Sequence, residues 1–278
     1  MAEFKHSLQL SLISFILLAS IAAHVTSARD IHNHSHDKSS HIIFSQNLLG
    51  TRKSHNIEGI HDVKTYLKRY GYLTHIGSQP GAFDDDLESA LKTYQKFFNL
   101  NVTGILDKET LSLMSQPRCG VPDIFQIFST TRRSISTWEG FKDPVRKALI
   151  LWSAYSHFGF TEAGRDELDD IKISFERGAH GDRHPFVPGT GVLAHAFAPT
   201  DGRFHLNVDQ KWSVGAQEGY YDVQSVALHE IGHLLGLAHS KTKEAIMWPV
   251  IPTNFVKGLY YDDIAGLEAL YGFPYFQH

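Results

Sequence analysis

One stretch limits this chain more than any other. Residues 229–240 read H-E-I-G-H-L-L-G-L-A-H-S, the pattern H-E-x-x-H-x-x-G-x-x-H. Apolar side chains fill the gaps (Val226, Ala227, Leu228, Ile231, Leu234, Leu235), which predicts a buried helix. His229 and His233 are four positions apart and so share one helix face. Two imidazoles with Glu230 beside the first are the donor set of a catalytic zinc. Gly236 can end the helix in a left-handed conformation, letting the chain turn and return His239 as a third ligand. Three protein ligands leave a fourth position open, which separates a catalytic from a closed structural site.

Ala245-Ile246-Met247-Trp248-Pro249 follows a few residues on. With it, the segment resembles the zinc-binding sequence of the metzincins. Ser240 directly after the third histidine makes the closer resemblance one to the matrixins, the matrix metalloproteinase family. That resemblance implies an α+β fold: a catalytic domain with a twisted mixed β-sheet and three helices. It also implies that Met247 lies in a tight turn under the metal.

The remaining composition is permissive. The chain has 278 residues, 42% of them apolar, enough for one large domain or two small ones. A net charge of −4 without a basic patch argues against nucleic acid as a partner. Lys5 precedes an apolar run over residues 8–23, and Ala23 or Ala28 suits a cleavage point, so residues 1–28 read as a signal peptide. Gln9, Ser11, Ser14 and Ser20 interrupt the run and argue against stable membrane insertion. The C-terminal residues are not an apolar tail, which argues against a lipid anchor. A secreted protein with a single cysteine, Cys119, carries a thiol that is free, intermolecular or bound to something else.

Residues 29–54 are polar, with a patch of His32, His34, His36 and His41. Asn33 and Asn101 sit in glycosylation sequons. Over 57–116 the periodicity predicts three helices. Ile60, Val63, Leu67 and Tyr70 form one stripe, ended by Gly71; Leu87, Ala90, Leu91, Tyr94, Phe97 and Phe98 form a second, entered through acidic residues 84–86. Asp107 caps a third helix through Leu111 and Met114. The run F-F-N-L-N-V-T-G-I-L-D at 97–107 resembles the peptidoglycan-binding-like fold of matrixin prodomains, which implies a small all-α three-helix module over 55–116.

P-R-C-G-V-P-D at 117–123 then resembles the matrixin cysteine switch. A metal lowers a thiol's pKa and binds it as thiolate, so Cys119 can occupy the open zinc position in an inhibited zymogen. Pro117 and Pro122 restrict the backbone on either side. The resemblance implies a pairing of Arg118 with Asp123. The expected organisation is a propeptide over 29–133, cut somewhere in 124–133, and a catalytic domain over 134–278. Residues 134–138 are a candidate strand. Pro144 suits a helix start, with Val145, Ala148, Leu149, Trp152 and Tyr155 inward. Strands are expected over 171–176 and 191–198 and near 204–208. A last helix, entered at Asp262 and Asp263, carries Ile264, Leu267 and Leu270 and ends at Gly272.

His180, Asp182, His195 and His205 lie around these strands and make a closed tetrahedral donor set. They also match the structural zinc site of matrixins. His184 nearby is expected to be solvated. For calcium, Asp170 stands at one family position, but Val187, Asn207 and Gln210 replace carboxylates at others, so a calcium site is expected to be weak or absent.

The function implied is that of a secreted, monomeric, zinc-dependent endopeptidase of the short plant type, without a propeller-like domain. Zinc would activate water, with Glu230 as general base. Extended polypeptide substrates from the extracellular matrix or apoplast would lie along Leu193 and Ala194 by strand addition. Ser225, Val226 and residues 249–251, Pro249 among them, would bound a side-chain pocket. The alternative is a catalytically weak or inactive binding protein that keeps its zinc sites.

Overall fold

The computed structural model describes residues 44–124, 139–163 and 170–272. The leader, the histidine patch, Asn33, nearly all of the expected activation segment and the candidate strand at 134–138 lie outside these residues.

The N-terminal module consists of α1 (Ile60–Arg69), α2 (Asp85–Phe97) and α3 (Lys108–Met114). The starts of α2 and α3 are set by side chains. Asp84 accepts from the Leu87 N–H at 2.9 Å and Asp107 from the Thr110 N–H at 2.9 Å, satisfying donors that a helix start leaves open. Asp84 also pairs with Lys64, a fully buried lysine of α1 whose ammonium donates to the carbonyls of Ile76 and Gln79. Gln95 ties α2 to the next loop, giving hydrogen bonds to Ile105 O and Thr110 Oγ1 and accepting one from Gly104 N. The predicted stripes form the core, where Tyr66, Tyr72, Tyr94, Phe97 and Phe98 meet mostly edge to face.

The C-terminal module contains α4 (Lys142–Ser153), β1 (Lys172–Glu176), β2 (Ala194–Ala196), β3 (Arg203–Asn207), β4 (Trp212–Ser213), β5 (Tyr221–Asp222), α5 (Val223–Leu234) and α6 (Tyr261–Tyr271). The sheet order is β1-β3-β2, with β1 parallel and β2 antiparallel to β3; β4 and β5 form a separate two-stranded pair. The mixed sheet and three helices match the expected fold class. α4 packs on α5, with Trp152 buried and donating through Nε1 to Leu228 O at 2.8 Å.

Three expectations are corrected. Tyr155 lies beyond the end of α4 and is exposed. Leu270 of α6 is half-exposed, so its inward stripe is narrower than the pattern suggested. The strand expected over 191–198 is regular only at Ala194–Ala196, because residues before it pair with residues 118–120 instead of with β3 alone.

Candidate metal centre

α5 carries the central motif. Every one of its residues except Gln224 is buried, which explains its nearly continuous apolar sequence. Asp222 caps it, accepting from Ser225 N at 2.9 Å and Ser225 Oγ at 2.6 Å. The helix ends before Gly236, whose φ of 90° is the left-handed conformation expected there. Leu237 N closes the turn on Gly232 O at 3.0 Å, and the chain brings His239 back toward the helix.

The three imidazoles converge. His233 Nε2 lies 3.2 Å from His229 Nε2 and 3.1 Å from His239 Nε2. Cys119 Sγ is 3.6 Å from His233 Nε2, and one donor atom from each of the four side chains falls within 4.8 Å of the others. The outer nitrogens are engaged: His229 Nδ1 with Ile246 O at 2.6 Å, His233 Nδ1 with Leu237 O at 2.8 Å, and His239 Nδ1 with Asp123 Oδ1 at 2.7 Å. Burial is the main influence on all three rings and pushes them toward the neutral form, the form that ligates a metal. Burial likewise pushes the Cys119 thiol up, and the Glu230 carboxylate beside it adds to the effect.

Glu230 is fully buried, and neither carboxylate oxygen has a protein hydrogen-bond partner. Burial raises its pKa to about 8, and the neighbouring Cys119 opposes this. A buried orphan carboxylate is costly and marks a group held ready for a ligand or reactant. Together with four convergent soft and borderline donors, it fits zinc.

Two further residues support the motif from beneath. A Cβ on Gly232 would collide with Met247 Sδ and lie 3.1 Å from Trp152 Cζ2, so Met247 packs directly beneath the helix turn between His229 and His233. Asp263 holds the turn that carries Met247, accepting from Ile246 N at 2.8 Å and Met247 N at 3.0 Å. The sequence marked Asp263 only as part of a helix start.

Residues 117–120 run between two edges. Arg118 N donates to Gly191 O at 3.1 Å and Leu193 N to Arg118 O at 3.1 Å, while Gly120 N donates to Ala194 O at 2.8 Å. On the other side Cys119 N donates to Pro249 O at 2.9 Å. A Cβ on Gly120 would meet the Val192 side chain at 2.8 Å, so a larger residue here would force Val192 or the segment to shift. Leu193, Ala194 and Ile251 are buried in this arrangement. Ser225 is also fully buried, with its hydroxyl engaged by Asp222. The guanidinium of Arg118 is buried, pairs with Asp123 and stacks 3.7 Å above the Tyr70 ring. Tyr72 donates to Asp123 Oδ2 at 2.8 Å.

A second cluster is assembled by strand register. Residue pairing places His195 opposite His205 across β2 and β3. Asp182 Oδ2 lies 2.8 Å from His180 Nε2, 2.6 Å from His195 Nε2 and 2.9 Å from His205 Nδ1. Phe186 stacks on His180 and His195. Burial opposes ionisation of Asp182, but the His195 and His205 rings outweigh it and hold the carboxyl far below its usual range. His184 is exposed. Among the described residues these are the two His/Cys/Asp/Glu clusters with metal-binding geometry, and Asp170 belongs to neither. Asn207 Nδ2 and Gln210 Nε2 both donate to Val192 O, at 2.9 and 3.3 Å. Val187 is exposed.

Comparison with known proteins gives two family matches. Residues 123–272 match the family model described as matrixin, and residues 56–114 one described as a peptidoglycan binding domain. Metalloendoproteinase 1 of Glycine max is 39% identical over 253 residues, covering 78% of this chain and 83% of its own. Metalloendoproteinase 5-MMP of Arabidopsis thaliana is 37% identical, covering 81% of this chain and 74% of its own. Interstitial collagenase of Bos taurus is 37% identical across 77% of this chain and 50% of its own.

Proposed function

The chain belongs to the matrixin family, and from that premise we propose that it is a secreted zinc-dependent endopeptidase made as a zymogen. The observation that carries this is the meeting of His229, His233, His239 and Cys119 at one point, with the orphan carboxylate of Glu230 beside it. His229, His233 and His239 hold the catalytic zinc. Cys119 is the fourth ligand in the latent form. When bound, zinc supplies Lewis-acid polarisation of a scissile carbonyl and lowers the pKa of water. Glu230, buried beside the centre, would act as the base that takes a proton from the attacking water and returns it to the leaving amine.

Residues 29–133 form the propeptide in this reading, behind a signal peptide at 1–28, and residues 134–278 form the catalytic domain. His180, Asp182, His195 and His205 hold a second, structural zinc. An extended polypeptide replaces residues 117–120 in the cleft. What supports this occupant is that the cleft already binds an extended backbone, through main-chain groups of Gly191, Leu193, Ala194 and Pro249. Asn207 and Gln210 offer amides, both donating to Val192 O, where carboxylates would favour calcium, so added calcium should raise the melting temperature of the zinc-loaded protein little or not at all.

Peptide cleavage tests the function. The purified full chain should be silent until its thiol is blocked with an organomercurial. Cys119→Ser should be active without treatment. Glu230→Gln should keep its zinc yet lose cleavage by about 100-fold or more. A latent Cys119→Ser protein would sink the thiol latch, and an active Glu230→Gln protein the assigned base.

A further inference from the structure

Each imidazole aims Nε2 at the common centre, so each must place an Nδ1–H on its outer side. His229 and His233 give theirs to carbonyls of Ile246 and Leu237, backbone atoms of the module that bears the ligands. His239 differs. Its Nδ1 lies 2.7 Å from Oδ1 of Asp123, and both side chains are wholly buried. Asp123 belongs to the loop that carries Cys119. Arg118 donates to the same oxygen, and Tyr72 donates to the other at 2.8 Å. With these partners the carboxylate is fixed in one orientation. A carboxylate behind a ligating imidazole sets its tautomer and ring angle and raises the basicity of the inner nitrogen.

We propose that residues 117–123 hold the metal centre at two points, Cys119 at the centre and Asp123 behind His239, so that zinc is bound more tightly in the intact chain than after this segment leaves. The proposal rests on the zymogen reading and adds Asp123 to it as a positioning residue. Cleavage of the propeptide then removes an inhibitor and, in the same step, the outer partner of one zinc ligand. The activated protein is accordingly the more easily stripped by chelators. The pairing with Arg118 keeps Asp123 in place behind His239.

The test is zinc release from the intact, zinc-loaded protein to a chromogenic chelator, on a Cys119→Ser background so that the thiol contributes nothing. Adding Asp123→Asn should speed release of one zinc about 10- to 100-fold. Release from the His180 cluster, which Asp123 does not touch, should keep its rate. Adding Arg118→Gln in place of Asp123→Asn, which loosens the anchor of the carboxylate but leaves it present, should speed release of the same zinc by less. Equal release with and without Asp123→Asn overturns the proposal. So does Arg118→Gln exceeding Asp123→Asn, since the effect would then come from docking of the loop. A second measurement needs no substitution at Asp123. The His239 Nδ1–H proton should resonate at the low field of a carboxylate-bonded imidazole in the intact protein and move upfield once the segment is removed; an unmoved resonance also overturns it. Failure of the latch itself would appear elsewhere, as a Cys119→Ser protein that does not cleave peptides.

Discussion

At the scale of single residues, the metal centre depends on what is absent as much as on what is present. Gly232 has no Cβ, and that space lets Met247 and Trp152 reach the helix backbone between His229 and His233. Gly232→Ala should cost about 1–3 kcal/mol of stability through overpacking, read as a lower melting temperature, and should loosen zinc. An unchanged melting temperature would show that Met247 yields without cost. Asp123 carries a pH signature. Burial pushes its carboxyl up, but Arg118 and His239 outweigh this and hold it down to about 2. A depressed carboxyl stabilises the fold above its unfolded pKa and loses that contribution as pH falls through the folded one. About 2 kcal/mol should therefore be present at pH 5 and shrink as pH drops from about 4 toward 2. Urea unfolding of wild type against Asp123→Asn measures it: the gap between them should narrow on acidification. A gap constant with pH would contradict the assignment.

At the scale of elements, two of the three helix starts in the N-terminal module are fixed by aspartates of unequal consequence. Asp107 caps α3 and, beyond that N–H, accepts at Oδ2 only the Thr103 hydroxyl at 3.0 Å. Asp84 caps α2 and also neutralises buried Lys64. Asp107→Ala should cost about 1 kcal/mol, and Asp84→Ala about 3 kcal/mol or more, because the second change leaves an ammonium buried without its charge partner. Chemical denaturation of the full chain separates them, and equal costs would mean that Lys64 is satisfied by the Ile76 and Gln79 carbonyls alone. Both caps were readable from an acid placed just before an apolar period. The coupling to Lys64 was not, since a lysine at a helix position inside a polar-looking pattern gives no sign of burial. In the second module, β2 falls short of its expected length for a reason no local pattern contains. Its leading residues give their hydrogen bonds to a segment from another part of the chain.

At the scale of the molecule, the two modules meet through aromatic side chains. Trp248, beside Met247 in the turn, packs into the core of the helical module and meets the Phe98 ring edge-on with centroids 5.1 Å apart. Removing the N-terminal module should expose Trp248, giving a red shift and loss of intensity in tryptophan emission. Trp248→Phe should abolish most of that change. Phe98→Ala should weaken docking and speed activation by an organomercurial several-fold. Emission that stays constant through activation would place the interface elsewhere. Docking of the helical module and the geometry of the candidate metal centre are thus linked, because the turn that carries Met247 also carries Trp248 into the helical module.

The sequence by itself determined the donor sets and the elements that bear them. Ligand spacing on α5, the left-handed turn at Gly236, the helical stripes and the caps all follow from local periodicity and backbone sterics. It also paired Arg118 with Asp123, five residues apart, through resemblance. Only the tertiary structure decided who stands behind each ligand. Asp123 against His239, Asp263 under the Met247 turn and Trp248 against Phe98 join residues distant in the chain, through buried contacts that neither spacing nor composition encodes. The physical reason is burial. A side chain's partners inside a packed core are set by the crossing of elements, and that geometry exists only once the chain has folded.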